Sequence, residues 1–471
     1  MKNIFASLLC LFGSLGFAQT KLKFIEPVKQ RVFVLTDLTN EPDDQESLVR
    51  FLVYSNEYDV EGIVATTSTH LRSHVRQDKI EGIIRDYGKV KPNLDTHASG
   101  FPSMEYLLSV TSQHLPVFSM DAVGAGKDSP GSDLLIKAVD NGDERPLWVS
   151  IWGGANCIAQ ALWKVKNSRS DEDLNKFVDK IRIYSISDQD FAGAWIRHNF
   201  PGIFYIVDAS SGDNWREYYK ATWTGISGDR WYKNGPFYQF ELVDNPWLAA
   251  NIQKNHGPLG ANYLPFDYIM EGDTPSFIGL IQNGLAWDQS PSWGGWAGRY
   301  ELWKSYGEVE KIWTSSITTQ DEVTLPDGRI EASNQATIWR FRDAFQYDFA
   351  ARMDWNVANS YQDANHNPVA VLSGNKGKAW ASAEIKEDEE VVLSAKGSDD
   401  PDGDQIQVKW RLYREAGNFT GNLEIFNPYG EEIKFRMPKL EAGQTLHLIL
   451  EVQDSGMPTL TSYRRVVLTN L

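Results

Sequence analysis

The chain has 471 residues, of which 42% are hydrophobic and 23% charged, as expected for a globular protein of two or three domains. Its formal net charge of −17 argues against nucleic acid as a partner, because phosphate binding needs a basic face. A neutral sugar and a bound cation are both compatible with this charge, and the 17 tryptophans favour either a large aromatic core or stacking on sugar rings.

Residues 1–18 are typical of a secretory signal peptide. Lys2 is followed by the apolar run Ile4–Phe12, and the small residues Gly16 and Ala18 stand at cleavage-site spacing. We therefore expect a secreted or periplasmic protein, with cleavage after about Ala18. No later segment approaches the roughly 20 apolar residues that span a membrane, so no membrane partner is expected.

The segment Arg31–Ser47 carries the densest group of acidic candidates. Val32–Leu35 predicts a buried parallel strand that ends near Asp37, and Asp43 and Asp44 follow in the first turn of a predicted helix. Open α/β sheets bind their ligands at the carboxyl ends of strands, and clustered carboxylates persist best with a cation between them. The segment therefore predicts a metal-bearing active site.

The residues Thr39–Asp44, with the sequence TNEPDD, resemble the calcium-binding signature of nucleoside hydrolases. This form is most similar to the nucleoside hydrolase-like domain of a group of secreted proteins described as cellulose-binding. Leu35 stands where nucleoside hydrolases have their first aspartate, and the gap between Asp37 and Asp43 is longer than theirs. The resemblance implies a first domain that binds calcium and hydrolyses a glycosidic bond.

Later segments resemble further nucleoside hydrolase elements in the same order along the chain. Tyr58–His70 corresponds to the second strand, Arg145–Val165 to the third strand and its helix, and Met270–Ile281 to the segment that completes the calcium site. The metal ligands that the resemblance implies are Asp37, Asp44, Asn156 (through its backbone carbonyl) and Asp273. The catalytic residues that it implies are Asp37, as general base, and Asp43.

Polar and aromatic residues near the same strand ends are candidate substrate contacts. His70 is either a general acid or an ordinary loop histidine, and the loop Gly124–Gly131 either lines the pocket or only caps a helix. Gly272 replaces the family's histidine, so leaving-group protonation needs another residue, for which Glu271 is a candidate. Trp293 belongs either to an exposed stacking surface or to a packed rim. The residues assigned to substrate binding are Asn40, Thr69, His70, Lys127, Asp188, Gln189, Asp190, Glu271, Trp293 and Arg299.

The predicted fold class is α/β, with a mostly parallel, Rossmann-like sheet of the nucleoside hydrolase type over residues 24–356. An all-β, immunoglobulin-like sandwich is predicted over residues 366–471, and its acidic turn, Ser398–Asp404, resembles those of cadherin- and polycystic-kidney-type modules. Within the first region, helices are predicted over Met104–Gln113 and Asn334–Trp355, the latter with Asn334 as its N-cap.

The sequence leaves three functions open. The main prediction is a secreted, calcium-dependent glycoside hydrolase that cleaves a plant-type oligo- or polysaccharide by metal-activated water, with inversion of configuration. The first alternative is a non-catalytic polysaccharide (cellulose)-binding protein whose tryptophans carry the interaction. The second is an exported nucleoside N-ribohydrolase, which loss of the family's histidine disfavours. A homo-oligomer is compatible with the resemblance, since nucleoside hydrolases are often oligomeric.

Overall fold

The structure of the protein is a computed structural model that describes residues 20–39, 41–208, 218, 220–228, 238–303, 312–325 and 327–471. The predicted signal peptide and Asn40 lie outside these residues. Among the described residues, no helix is long and apolar enough to cross a membrane.

Strands and helices alternate in the first part of the chain, and strands predominate in the last part. The described strands are β1 (Lys23–Ile25), β2 (Gln30–Thr36), β3 (Tyr58–Ala65), β4 (Thr111–Gln113), β5 (Leu147–Ile151), β6 (Ile181–Ser185), β7 (Phe204–Val207), β8 (Glu301–Leu302), β9 (Ile312–Thr314), β10 (Asp321–Thr324), β11 (Ile330–Ser333), β12 (Val371–Leu372), β13 (Asn375–Lys376), β14 (Trp380–Ile385), β15 (Glu390–Ser394), β16 (Ile406–Leu412), β17 (Glu432–Arg436), β18 (Leu446–Asp454) and β19 (Thr461–Asn470). The described α-helices are α1 (Pro42–Val53), α2 (Gln77–His97), α3 (Met104–Ser109), α4 (Pro130–Asp140), α5 (Asn156–Ser168), α6 (Asp171–Asp179), α7 (Ala192–Asn199), α8 (Asn245–Leu248), α9 (Gly257–Ala261), α10 (Pro275–Ile278), α11 (Ala336–Trp339), α12 (Arg342–Trp355) and α13 (Arg414–Gly417).

The first region is organised around an eight-stranded sheet with the strand order β4-β3-β2-β5-β6-β7-β9-β8. All neighbouring pairs are parallel except the edge pair β8–β9, which is antiparallel. The mostly parallel α/β sheet predicted from the sequence is therefore confirmed. From β2 the chain first builds outward to β3 and β4, and it then crosses to β5 on the other side. Such a reversal leaves a crevice at the carboxyl ends of the two central strands.

Strand β2 is buried along its whole length because helices cover both faces of the sheet. Val32 and Val34 belong to one apolar core, whereas Phe33 and Leu35 belong to the other. The alternation follows from the two-residue period of a strand, and it explains why the sequence shows a continuous apolar run there. This rigid central strand fixes the position of the acidic segment that follows it.

The second region contains a five-stranded sheet with the order β1-β14-β19-β18-β16 and a two-stranded sheet, β15-β17. Residues from both sheets form one apolar core, and all of these pairs are antiparallel except β14–β19. Strand β1 pairs with β14, with Lys23 opposite Ser382. The predicted boundary at residue 24 assigned this segment to the first domain, whereas its hydrogen bonds join it to the second region.

Two predicted helices are shorter than expected. The helix predicted over Met104–Gln113 ends at Ser109, and Thr111–Gln113 instead forms β4, the parallel edge strand beside β3. The helix predicted over Asn334–Trp355 is divided into α11 and α12 at Phe341, whose ψ of 11° is not helical. The hydroxyl of Ser333, and not the side chain of Asn334, accepts a backbone N–H of α11. Contacts between distant segments therefore override the local helical pattern in both places.

Candidate active site

The central strands β2 and β5 end side by side where the strand order reverses. Asp37 follows β2, and the pair Gly153–Gly154 follows β5. A Cβ added at Gly153 would lie 2.3 Å from Asp37 Oδ1, and one at Gly154 would lie 2.6 Å from Asp190 Oδ2. Only glycine therefore lets both carboxylates lie against this turn.

Three further carboxylates converge beside Asp37. Asp43 and Asp44 lie in the first turn of α1, and Asp273 lies two residues before α10. Among the described residues, oxygens of these three side chains lie within 4.8 Å of one another. The absence of a side chain at Gly272 leaves space for Asp43, since a Cβ there would lie 2.7 Å from Asp43 Oδ2. Asp37, Asp43, Asp44 and Asp273 are called the acidic cluster below.

Hydrogen bonds hold two carboxylates of the acidic cluster. Thr36 Oγ1 donates to Asp44 Oδ1, and Ser68 Oγ donates to Asp37 Oδ2. Ser68 Oγ in turn accepts the backbone N–H of His70 at 2.9 Å. The loop after β3 is thereby joined to the carboxylate that follows β2, which brings His70 to the same end of the sheet.

Burial and mutual repulsion oppose ionisation of the acidic cluster. Burial raises the pKa of Asp43, Asp44 and Asp273 well above the usual range of aspartate, and the neighbouring carboxylates raise it further. The buried oxygens of the cluster that have no hydrogen-bond partner among the described residues are Asp37 Oδ1, Asp43 Oδ1 and Asp273 Oδ2. A cation would balance the charge and engage these oxygens, and hard divalent cations prefer such ligands. The acidic cluster therefore fits a metal ion.

Asn156 is the first residue of α5 and has two oxygens that could serve as ligands, the backbone carbonyl and the side-chain Oδ1. The carbonyl of a first helical residue accepts one hydrogen bond from within the helix, which uses one of its two lone pairs, so it can still serve as the predicted backbone ligand. The side-chain amide donates to Thr67 Oγ1 at 2.8 Å and to the Val117 carbonyl at 3.0 Å. Its Oδ1 is buried and has no partner among the described residues. The side-chain oxygen is therefore a second atom that Asn156 can offer to a ligand.

Glu41 and Tyr218 are two neighbours of the acidic cluster that are not among the predicted site residues. Burial raises the pKa of Glu41, and the charge of His70 opposes the rise. Burial raises the pKa of Tyr218 to about 12, with smaller effects from Glu41 and Asp37. Burial also raises the pKa of Asp37, and the charge of His70 opposes that rise as well. Glu41 stands inside the TNEPDD sequence, which is the signal that could have found it.

Gln189 and Thr69 link the loops after β3, β5 and β6. The Thr69 backbone N–H donates to the Gln189 carbonyl at 2.6 Å, and Gln189 Nε2 donates to the Trp152 carbonyl at 2.6 Å. Gln189 Oε1 is buried and has no partner among the described residues. Both predicted substrate contacts therefore lie at the carboxyl end of the sheet, and Gln189 keeps an acceptor free.

Asp188 and Asp190, on either side of Gln189, have different surroundings. Asp188 forms a two-bond ion pair with Arg197, with distances of 2.8 and 2.7 Å, so its carboxylate is already engaged within the fold. Asp190 accepts the N–H of Ala192 through Oδ1 at 2.9 Å, while Oδ2 is buried without a partner among the described residues. Burial raises the pKa of Asp190 to about 7. Of the two, Asp190 has the oxygen that a ligand can use.

Glu271 was predicted as a substrate contact, and the structure gives it a different partner. It is fully buried and paired with Arg50, whose Nη2 lies 3.1 Å from Glu271 Oε1. Tyr263 and Thr274 donate to the same carboxylate at 2.7 and 2.8 Å. Because Arg50, Tyr263 and Thr274 all bond to its carboxylate, Glu271 has a structural role and does not replace the family's histidine as an acid.

Trp293 and Arg299 were assigned to substrate binding, with an exposed stacking surface and a packed rim as the two interpretations left open. Trp293 lies edge to face with Trp380, at a centroid distance of 4.9 Å. Arg299 is 5% exposed, and its Nε donates to Asp321 Oδ1 at 2.9 Å. Asp321 also accepts the Tyr413 hydroxyl at 2.6 Å. Of these two interpretations the structure favours the packed rim, because the second region covers this segment.

The loop that carries Lys127 is a helix-capping turn. Gln160 binds both the N–H and the carbonyl of Gly124, at 2.7 and 3.2 Å. Ser129 and Ser132 form a reciprocal capping box at the start of α4. Of the two interpretations that the sequence left open, the structure favours capping for this loop, and it shows no contact of Lys127 with the acidic cluster.

Comparisons with known proteins agree with this geometry. The family described as cellulose-binding Sde182, nucleoside hydrolase-like domain, matches residues 31–300, and that described as cellulose-binding protein Sde0182, C-terminal domain, matches residues 390–470. No curated protein matches the chain.

Three solved structures are similar to parts of the chain. The first is a nucleoside hydrolase-related hypothetical protein from Saccharophagus degradans that is associated with carbohydrate metabolism; it is 35% identical, with a TM-score of 0.79, over 94% of this chain and 100% of that one. The PKD domain from KIAA 1837 protein is 15% identical, with a TM-score of 0.14, over 19% and 82% of the chains. The effector protein XOO4466 is 8% identical, with a TM-score of 0.34, over 70% and 95%. The last two similarities are too weak to support an inference.

The first family match covers more than half of the chain and includes most of the strands of the parallel sheet together with the whole acidic cluster. The solved relative extends the similarity over both regions. The chain therefore belongs to the cellulose-binding Sde182 family, with a nucleoside hydrolase-like first domain.

Proposed function

We propose that the protein is a secreted, calcium-dependent glycoside hydrolase that cleaves a glycosidic bond of a plant-type oligo- or polysaccharide. The observation that carries this proposal is the acidic cluster, whose buried oxygens lack partners among the described residues. A protein that only retains a polysaccharide has no need of carboxylates converging at the strand ends. The nucleoside hydrolase-like domain and the carbohydrate association of the solved relative support the same reaction class.

The members of the acidic cluster have two roles in this proposal, cation binding and proton acceptance. Asp43, Asp44 and Asp273 would hold the cation, with the Oδ1 of Asn156 as an additional oxygen donor. When bound, the ion supplies positive charge that orients sugar hydroxyls and acidifies a water. Asp37 accepts the proton of the attacking water through Oδ1, because Ser68 already occupies Oδ2. Direct attack by water needs no covalent partner and inverts the anomeric configuration.

His70 is the residue that we assign to leaving-group protonation. Its side chain acts electrostatically on both Asp37 and Glu41, and its backbone N–H is held by Ser68. An imidazolium group at this position can donate a proton to the leaving group. Glu271 is engaged by Arg50 and does not compete for this role.

Binding of a polysaccharide without catalysis is the second candidate, and the description of the matched family as cellulose-binding favours it. The tryptophans expected to carry this function do not support it, since Trp296 is 2% exposed and Trp293 packs against Trp380. Exposed aromatic side chains in the second region include Phe426 and Tyr429. The two candidates therefore place carbohydrate at different parts of the molecule.

The deciding experiment is product release from nucleosides, furanosides and plant oligosaccharides, with and without a calcium chelator. Chelator-sensitive release of a sugar from a glycan is the expected result. Release from nucleosides alone would replace the proposal with an exported nucleoside N-ribohydrolase. No release, with tight retention on insoluble cellulose, would replace it with a binding protein.

Calcium is expected to stabilise the protein, and more strongly as the pH rises. The pKa values of Asp43, Asp44 and Asp273 are raised in the folded protein, whereas unfolded aspartates titrate near pH ~4. The metal-free folded state thus binds more protons than the unfolded state above pH ~4, and its free energy of unfolding falls as the pH rises through the raised pKa values. Calcium at a thousandfold excess over its Kd would restore about 4 kcal/mol.

Melting temperatures with calcium or with a chelator, recorded across a pH series, test this expectation. Asp44→Asn is the matched variant, because it removes one charge and should remove most of the calcium effect. Equal melting temperatures with calcium and with chelator at alkaline pH would contradict a calcium site in the acidic cluster.

A further inference from the structure

Two aromatic rings, the exposed Phe191 and the half-buried Phe118, lie on loops at the carboxyl end of the parallel sheet and belong to none of the described apolar cores. Phe191 follows β6 and is 63% exposed, and its ring meets Phe118 edge to face at a centroid distance of 6.4 Å. The guanidinium carbon of Arg72 lies 4.5 Å from the centre of the Phe118 ring. Phe118, Phe191 and Arg72 are called the aromatic rim below.

Hydrogen bonds attach the aromatic rim to the loops that build the site. The backbone N–H of Phe191 donates to Ser119 Oγ at 2.9 Å. Arg72 donates to the carbonyl and the hydroxyl of Thr69, at 3.2 and 3.1 Å. The carbonyl of Val117, next to Phe118, accepts the Asn156 side chain at 3.0 Å. The backbone of the rim is therefore held by three loops that also contribute to the site.

The backbone beneath the aromatic rim is strained. Ser119 is buried and has a φ of 56°, a left-handed conformation that is unfavourable for serine. Such conformations persist where surrounding contacts enforce them, and they concentrate at ligand sites. Here the strain turns the Ser119 hydroxyl toward the Phe191 backbone. A single exposed phenylalanine needs no explanation. Phe191 does need one, because its backbone is bonded to a strained residue and its ring contacts a second phenylalanine.

We propose that the aromatic rim is a second sugar subsite, which receives the unit of a glycan adjacent to the unit bound at the acidic cluster. This proposal rests on the proposed function and names its substrate class as oligosaccharides that span both positions. The apolar face of an uncharged sugar ring can lie on Phe191, and its hydroxyls can reach Arg72. The carboxylates nearby disfavour an anionic ligand, so neutral glycans fit better than phosphorylated ones.

The test is titration calorimetry of the full chain, with calcium present, against cello- and xylo-oligosaccharides from disaccharide to hexasaccharide. Wild-type affinity should rise by about tenfold at the length that first reaches the rim. Phe191→Ala should lose this step and keep its affinity for shorter ligands, while Phe191→Tyr should retain it. Phe426→Ala removes a phenyl ring that is 80% exposed in the second region and should leave the step unchanged.

The outcomes separate the subsite from the proposed function. Persistence of the length step in Phe191→Ala, or its loss in Phe426→Ala, would overturn the subsite. A wild-type protein with calcium-dependent turnover and a flat length profile would also overturn the subsite, and the hydrolase would stand. Absence of both binding and turnover throughout the series, together with hydrolysis of nucleosides alone, would overturn both.

Discussion

Asp37→Asn is expected to lower kcat by about a thousandfold on the glycan that the wild-type protein hydrolyses. The substitution keeps the size and the hydrogen-bond acceptor that Ser68 engages, but an amide cannot accept the proton of the attacking water. General-base catalysis contributes about a hundred- to ten-thousandfold. The expected pattern is a loss of kcat with little change in glycan affinity or in the folded structure, measured by steady-state kinetics and calorimetry.

Asp179→Asn provides the matched control, since it changes the same chemical group on an exposed helix end. It should leave kcat within about twofold, in keeping with the small effects of most surface substitutions. If Asp37→Asn kept wild-type kcat, Asp37 would not be the base. If it lost glycan binding in parallel, its role would be to hold the ligand.

Glu271→Gln is expected to lower the free energy of unfolding by about 3–5 kcal/mol, the cost of leaving a buried cation without its partner. Arg50 and Glu271 are both wholly buried. Arg50 also donates to the Phe345 carbonyl at 3.0 Å and to Gln346 Oε1, and it lies 4.0 Å from the Phe349 ring; all of these groups are neutral. Chemical denaturation followed by fluorescence measures the loss.

The exposed pair Lys176–Glu172 allows a matched comparison, because Glu172→Gln removes the same type of charge from a helix surface. That variant should lose less than about 1 kcal/mol. The double variant Arg50→Met with Glu271→Met removes both charges and should recover part of the loss. Equal losses in Glu271→Gln and Glu172→Gln would show that the buried pair adds no stability.

The convergence of Asp37, Asp43 and Asp44 could be predicted from the sequence because it depends on local rules. The apolar run of β2 specifies a buried strand, and Pro42 followed by two aspartates specifies a helix start. The carboxyl ends of parallel strands meet at one edge of the sheet. That Asp273 joins them could be predicted only from the family resemblance, because nothing in the neighbouring sequence indicates which strands its loop approaches.

The sequence could not decide the roles of Glu271 and Trp293, because their partners are remote in the sequence. Glu271 and Arg50 are separated by 221 positions, and no periodicity joins them. Trp293 stands among glycines, a composition typical of exposed loops, but the second region packs over it. Residue type sets what a side chain can do, whereas the choice between substrate and structural partner depends on the packing of distant segments.

The pairing of β1 with β14 has a consequence for the order in which the protein can complete its fold. β1 leaves the ribosome hundreds of residues before β14 and before β19, which lies on the other side of β14. The sheet of the second region can therefore close only when synthesis is almost finished, a late step of the kind that slows folding. A fragment that starts at residue 366 would carry β14 as an open edge, able to pair with another copy of itself. A strand near the start of the chain, β1, thus completes the sheet of its last region.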